Sequence, residues 1–185
     1  ALAARWQAGE FDRVILTGMG SSFFAAYAAW VRLAQAGLPA VWVDASELNS
    51  YAAGLINSRT LLWMISNSGK IIEMTRLLRR REELGSPFIL ANTNYPDSPL
   101  GLAADLIVPI HTGNDITLAT RSYLGTLAVT QLMAFSLAGK DVDGDMEDLR
   151  TTADGLETYL ADLDWHIQEL DSALGEVKKL AIVGR

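Results

Sequence analysis

Between residues 13 and 110 the chain alternates short apolar runs with longer segments of helical period. The apolar runs are Arg13–Thr17, Val41–Asp44, Thr60–Ile65, Pro87–Ala91 and Asp105–Ile110. They are nearly continuous rather than in-out alternating, the pattern of strands covered on both faces. Between them, Ser22–Gln35 sets Tyr27, Val31 and Ala34 on one helical face. Lys70–Leu84 sets Ile71, Met74 and Leu78 on one face and turns Glu73, Arg76, Arg80 and Glu83 away from it. Thr117–Leu137 is long and largely apolar, and Gly37-Leu38-Pro39 and Gly85-Ser86-Pro87 are stops before strands. The alternation predicts an α/β fold, a parallel sheet covered by helices.

Beyond this region the period changes. Apolar residues at 149, 153, 156, 160, 163, 167, 170 and 174 step alternately by four and three, a heptad spacing across Leu149–Leu174 that Gly155 interrupts. One helix packed on the body satisfies the pattern, and so does a helix joining two domains or forming a dimer seam. The final stretch, KKLAIVGR, is an apolar run entering a glycine, as a second α/β unit would begin. The expected organisation is therefore a domain over 1–140, a linker helix over 141–176, and the first strand of a second domain over 177–185.

Composition narrows the chemistry. The 185 residues are 50% hydrophobic, enough for a core, and carry a formal charge of −7. That balance opposes binding to nucleic acid or an anionic membrane, and neither partner is expected. With no cysteine, disulfides, thiolate metal sites and Cys nucleophiles are excluded, and a cytoplasmic setting is expected. His111 and His166 are far apart and fit no zinc pattern, so neither a metal nor a cofactor is expected.

Two loops at strand ends are rich in donors. In ILTGMGSSFFAA, Gly18 and Gly20 permit a tight turn, and Ser21 and Ser22 open the next helix, where free N–H groups and the helix dipole favour an anion. Either serine could instead be a plain N-cap. The loop is not a dinucleotide fingerprint, since Phe23 stands where a third glycine belongs. In SNSGK, Ser66, Asn67 and Ser68 offer donors, Gly69 frees the backbone, and Lys70 adds a cation near a helix start, where the dipole disfavours one unless an anion is bound. A surface lysine beside one capping serine is the alternative. Neutral hydroxyl and amide donors without an adenine slot or ribose-binding acid suit a sugar phosphate better than a nucleotide.

These residues resemble the SIS (sugar isomerase) domain family, in particular the first SIS unit of the isomerase part of glucosamine-6-phosphate synthases. GMGSS (18–22) is similar to the family's first loop and SNSGKIIE (66–73) to its S-x-S-G-x-T-x-E phosphate loop. NTNYPDSPLGLAADLIVPIHTGNDITLATRSYLGTL (92–127) follows the family's stretch from TN to the T-[KR]-[SA]-[YF] helix, and KKLAIVGR resembles the opening strand of a second unit. The resemblance implies a three-layer αβα sandwich with a five-stranded parallel, flavodoxin-like sheet, and a homodimer with the site near its interface. Carried over by position, Ser66, Asn67 and Ser68 hold the sugar phosphate, Ser22 touches the sugar hydroxyls with Ser21 beside it, and Leu118 is an apolar contact. Gly20, Gly69 and Lys70 complete the expected substrate-binding set.

The chain departs from the family at three points. Ile71 replaces the phosphate-binding Thr, Lys70 replaces a residue that is usually acidic, and the turn near Thr117 is one residue shorter. Lys70 is expected to exchange the lost neutral donor for a charged one. The family's catalytic groups match nothing before Arg185, and His111, His166, Asp115 and Glu73 are read as structural or surface residues. The expected function is the phosphosugar-binding half of a tandem-SIS enzyme acting on a hexose 6-phosphate, as an aldose–ketose isomerase, aminotransferase-like enzyme, deaminase or deglycase. The alternative is a sensing or structural SIS module.

Overall fold

The computed structural model describes residues 2–113 and 120–181. Five strands, β1 (Arg13–Gly18), β2 (Ala40–Asp44), β3 (Thr60–Ile65), β4 (Phe88–Thr93) and β5 (Leu106–Pro109), form one parallel sheet in the order β2-β1-β3-β4-β5. All five match the apolar runs of the sequence to within a few residues. The helices are α1 (Leu2–Gln7), α2 (Ser21–Gln35), α3 (Ala45–Ser50), α4 (Ile72–Arg79), α5 (Pro99–Ala103), α6 (Thr120–Leu137), α7 (Asp143–Ala161) and α8 (Leu163–Leu174). The first 142 residues form one compact unit and the remainder a second. Among the described residues no helix is long and apolar enough to cross a membrane.

Strand alternation builds two cores. Val14 and Leu16 of β1 and Trp63 of β3 face one side, with Ala26, Ala29 and Leu33 of α2 and Ala134 and Leu137 of α6. Ile15, Leu62 and Met64 face the other, with Ala45 and Leu48 of α3, Met74 and Leu77 of α4, and Leu100 of α5. The result is three layers, and central β3 is buried along its whole length. On the first face, α2 buries Ser22, Ala25, Ala26 and Ala29, and α6 buries Ser122, Thr126, Thr130 and Ala134. The four α6 positions recur every four residues, so they share a face, and their small side chains let the two helices approach closely. Thr126 and Thr130 donate their hydroxyls to the carbonyls of Ser122 (2.6 Å) and Thr126 (2.7 Å), which satisfies them without water.

Two helices differ from the periodic reading. The segment over Lys70–Leu84 is regular only from Ile72 to Arg79, with Ile71 extended before it (φ −63, ψ 135) and turns after it. The buried pair is Met74 and Leu77, and Leu78 only packs at the margin. The heptad segment is two helices rather than one: the chain runs through Gly155 without a break and leaves helical geometry at Asp162 (φ −103, ψ 24). Asp162 is the N-cap of the second helix but makes no side-chain cap bond. In the second unit no residue of α7 or α8 is buried. Residues 177–181 form no strand, and 182–185 lie outside the described residues.

Buried Asn92 ties three strands together. It accepts the indole N–H of Trp63 on β3 and donates to the carbonyl of Val108 on β5 at 2.8 Å. Both Trp63 and Asn92 are fully buried, so removing the amide leaves the indole N–H dry and unpaired. Asn92→Ala is expected to destabilise the domain by about 1–3 kcal/mol from that unpaired donor alone. A urea midpoint unchanged from the parent would show that the pair carries no net stability.

Candidate functional site

The strand order reverses direction between β1 and β3: the chain leaves β1 toward β2 on one side and β3 toward β4 on the other. A crevice at the carboxyl ends of those two strands is where open α/β sheets take ligands. Gly18 and Ile65 are register partners, so the loops 19–21 and 66–71 leave the sheet side by side and at one level. Gly18 has to be small there. A Cβ on it would lie 2.9 Å from the Phe23 nitrogen and 3.1 Å from the Ile65 carbonyl oxygen, so only glycine lets α2 begin this close to the end of β3.

The first loop presents backbone rather than capping side chains. The N-cap of α2 is Gly20, which makes no side-chain cap bond. Ser21 and Ser22 are therefore the first two helical residues, and neither hydroxyl is spent as an N-cap. Ser21 is exposed and Ser22 is 8% exposed. The first-turn N–H groups of a helix lack intrahelical partners, and the N-cap residue here supplies no side chain in their place.

The second loop is braced from below. Ser66 is fully buried, and its Oγ and carbonyl oxygen accept the Gly69 N–H at 3.1 and 3.2 Å. Its side chain shapes the turn from inside. Ser68, half-buried, accepts the Lys70 N–H at 3.3 Å, and Lys70 itself is exposed, two residues before α4 begins. Residues beyond the loop hold it in place. The Asn67 carbonyl accepts the Thr93 hydroxyl (3.1 Å) and the Asn94 N–H (3.0 Å), and the Gly69 carbonyl accepts the Leu100 N–H (3.0 Å). Gly69 sits at φ +62, and a Cβ there would lie 1.9 Å from Ser98 Oγ, so conformation and contact both demand glycine. The α4 N-cap is Ile71, half-buried and without a capping side chain. The second helix thus also starts without a side-chain cap, at the position where the sequence motif leads one to expect a threonine.

Between the loops lies a narrow crevice lined by Ser21, Ser22, Asn67, Ser122, Tyr123 and Thr126. Its enclosed space is about 10 Å³, room for roughly one water, so a larger ligand would lie across its mouth. Asn67 Oδ1 is buried and has no hydrogen-bond partner among the described residues. An acceptor left dry in this way is costly unless a ligand or water supplies the proton.

The structure thus gathers Gly20, Ser21, Ser22, Ser66, Asn67, Ser68, Gly69 and Lys70 at one end of the sheet. Leu118, Asp115 and the shortened turn at Thr117 lie outside the described residues. His111 stands in an exposed loop at φ +57, and His166 stacks on Tyr159 at 4.0 Å in the second unit. Sequence reasoning missed the α6 contribution and the brace from Thr93, Asn94 and Ser98. Ser98-Pro99 does carry a helix-start signature, a capping serine with proline at N1, and Ser98 Oγ accepts the Gly101 N–H at 3.3 Å. The hydroxyls at 122, 126 and 130, four residues apart, were the corresponding sign on α6.

Comparison with known proteins agrees with this arrangement. The SIS domain model matches residues 10–136. Arabinose 5-phosphate isomerase GutQ of Escherichia coli K12 is 30% identical over 176 residues, 92% of this chain and 54% of that protein. The glutamine–fructose-6-phosphate aminotransferase of Pyrococcus horikoshii is 27% identical over 181 residues, 95% of this chain and 30% of that protein. The chain therefore spans about a third of the aminotransferases and about half of the isomerase. Among solved structures, the C-terminal domain of the Francisella tularensis glucosamine-fructose-6-phosphate aminotransferase superposes with a TM-score of 0.77, at 19% identity, covering 94% of this chain and 50% of that one. The c3406 protein of E. coli CFT073, solved as a ligand complex, superposes with a TM-score of 0.64, at 23% identity, covering 75% of this chain and 74% of that one. With its sheet order, its paired loops and a family match over most of its length, the chain belongs to the SIS domain family.

Proposed function

We propose that this chain is the phosphosugar-binding half of a tandem-SIS enzyme acting on a hexose 6-phosphate, as an aldose–ketose isomerase, aminotransferase-like enzyme, deaminase or deglycase. One observation carries the reading: the uncapped start of α2 (Ser21 and Ser22) and the hydroxyl-rich loop before α4 (Asn67) line one crevice at the β1/β3 switch point. Phosphate is a suitable ligand at such a place, because first-turn N–H groups and the helix dipole favour an anion. Ser68 and Lys70 stand at the loop surface to meet it, while Ser21, Ser22 and Asn67 face the carbon chain across the crevice mouth. Buried Ser66 acts by holding the turn that presents Ser68 and the Gly69 backbone.

In such chemistry an open-chain sugar phosphate passes through an enediol or imine while a base moves a proton between adjacent carbons. Anchoring the phosphate and fixing the chain shortens the search for the reactive geometry. No residue described here is assigned as that base. A second reading, a sugar-phosphate sensor or a purely structural module, draws on Ile71, which removes one hydroxyl donor from the phosphate loop. The protein is read as a homodimer in the cytoplasm by analogy with its family.

A melting screen with fructose, glucose, glucosamine and N-acetylglucosamine 6-phosphates and arabinose 5-phosphate tests the binding claim. A ligand at about a hundred times its Kd stabilises by about 2.7 kcal/mol, a rise of roughly 5–10 °C for a chain of this size. No shift with any of them at millimolar concentration would sink the reading and favour the structural module. Lys70→Ala is expected to weaken the best ligand roughly tenfold at low salt, the scale of one partly exposed charged hydrogen bond. Unchanged affinity there would reject the compensating role of Lys70. Ile71→Thr supplies an N-cap to α4 and should add about 1 kcal/mol of stability by denaturant titration, with tighter ligand binding. Weaker binding in that variant would mean that the loop has been rebuilt around isoleucine.

A further inference from the structure

Asn94 stands where two loops meet. It is the first residue past β4, and β4 lies between β3 and β5 in the sheet. Asn94 is therefore flanked by the loop that follows β3 and by the turn that follows β5, and it bonds to both. Its backbone N–H donates to the Asn67 carbonyl at 3.0 Å. Its side-chain oxygen accepts the Thr112 N–H at 3.2 Å, and its side-chain N–H donates to the Gly113 carbonyl. Both side-chain partners belong to one turn, so the amide holds that turn at two points.

The same turn is the seat of α6. Gly125 meets it so closely that a Cβ there would lie 2.1 Å from the Thr112 methyl and 3.1 Å from Ile110 Cγ2. Ser122, Tyr123 and Thr126, within one helical turn of Gly125, line the crevice together with Asn67. A path of direct contacts thus runs from Asn67 through Asn94, Thr112 and Gly125 to the α6 wall. The turn is also strained. His111 adopts φ +57, a left-handed conformation that a residue with a Cβ rarely takes. Such conformations persist where the surroundings over-determine them, and they cluster at functional sites. The two side-chain bonds from Asn94 fall on the two residues that follow His111.

We propose that Asn94 is a positioning residue of the crevice, which sets the α6 wall against the 66–70 loop by way of the turn at 111–113. Asn94 does not itself line the crevice and acts through its neighbours. The assignment rests on the sugar-phosphate reading and divides the work within it. The 66–70 loop has braces of its own, from the Thr93 hydroxyl and the Leu100 N–H, and the backbone N–H of residue 94 survives truncation of its side chain. Loss of the amide therefore spares the phosphate anchor and releases the wall that fits the sugar.

The test titrates the whole chain and its Asn94→Ala variant calorimetrically with inorganic phosphate, fructose 6-phosphate and glucose 6-phosphate. Phosphate affinity is expected to change by less than about twofold, while the tighter sugar phosphate weakens by about tenfold or more, the scale of one or two hydrogen bonds. Gly125→Ala displaces the same turn from the α6 side and should give the same split; it carries the test should Asn94→Ala fail to fold. The double variant should bind the sugar about as well as the weaker single variant, since both changes break one path. Urea titration separates stability from affinity. A parent that binds the sugar phosphates with variants that keep the ratio of sugar to phosphate affinity, or losses that multiply in the double variant, would overturn the positioning role alone. A parent that binds no sugar phosphate would overturn the sugar-phosphate reading and the positioning role with it.

Discussion

The parallel register of β1 with β3, with Gly18 beside Ile65, is the constraint from which the site follows. A parallel pair sends both chains out of the sheet at the same edge. A reversal of winding at that pair sends the following helices to opposite faces and leaves the start of α2 beside the loop that leads to α4. The narrowness of the junction then dictates its residues. Glycine at 18 admits the start of α2, and glycine at 69 admits Ser98 behind the second loop. Neither position offers room for a side chain, so the site is shaped by backbone and by the hydroxyls beside it.

Polar economy explains why so few charges are needed there. Two helix starts without side-chain caps hold partial positive charge without Arg or buried Lys. The cost of leaving those N–H groups unpaired is small in water, where solvent satisfies them, and is recovered when an anion replaces that solvent. Asn67 Oδ1 is buried and has no partner among the described residues. Such a group is typical of a surface that is incomplete without a ligand or an ordered water. Ile71 fits the same logic, since an apolar N-cap gives up local helix stability at a place where the donors face outward.

The second unit follows different rules. Its helices bury none of their residues, and residues 143–185 together carry a charge equal to the whole net −7. The helical path breaks at Asp162, within the heptad-spaced stretch.

How far the sequence reached differs from element to element. The five strands and the principal helices were legible, because near-continuous apolar runs and 3.6-residue periods are local signals that the tertiary fold had no reason to override. The two donor loops were legible for the same reason, as clusters of Ser, Asn and Gly at predicted strand ends. The buried role of Ser66, the brace from Thr93 and Ser98, and the entry of Ser122 and Tyr123 into the crevice were not. Each depends on which strands are neighbours and on how closely α6 lies against α2, and those contacts join residues 26 to more than 50 positions apart in the chain. Apolar periodicity thus determined the elements and where the donors sit. Strand order and close packing decided which donors point outward, because only the assembled sheet brings the end of β1 to the end of β3.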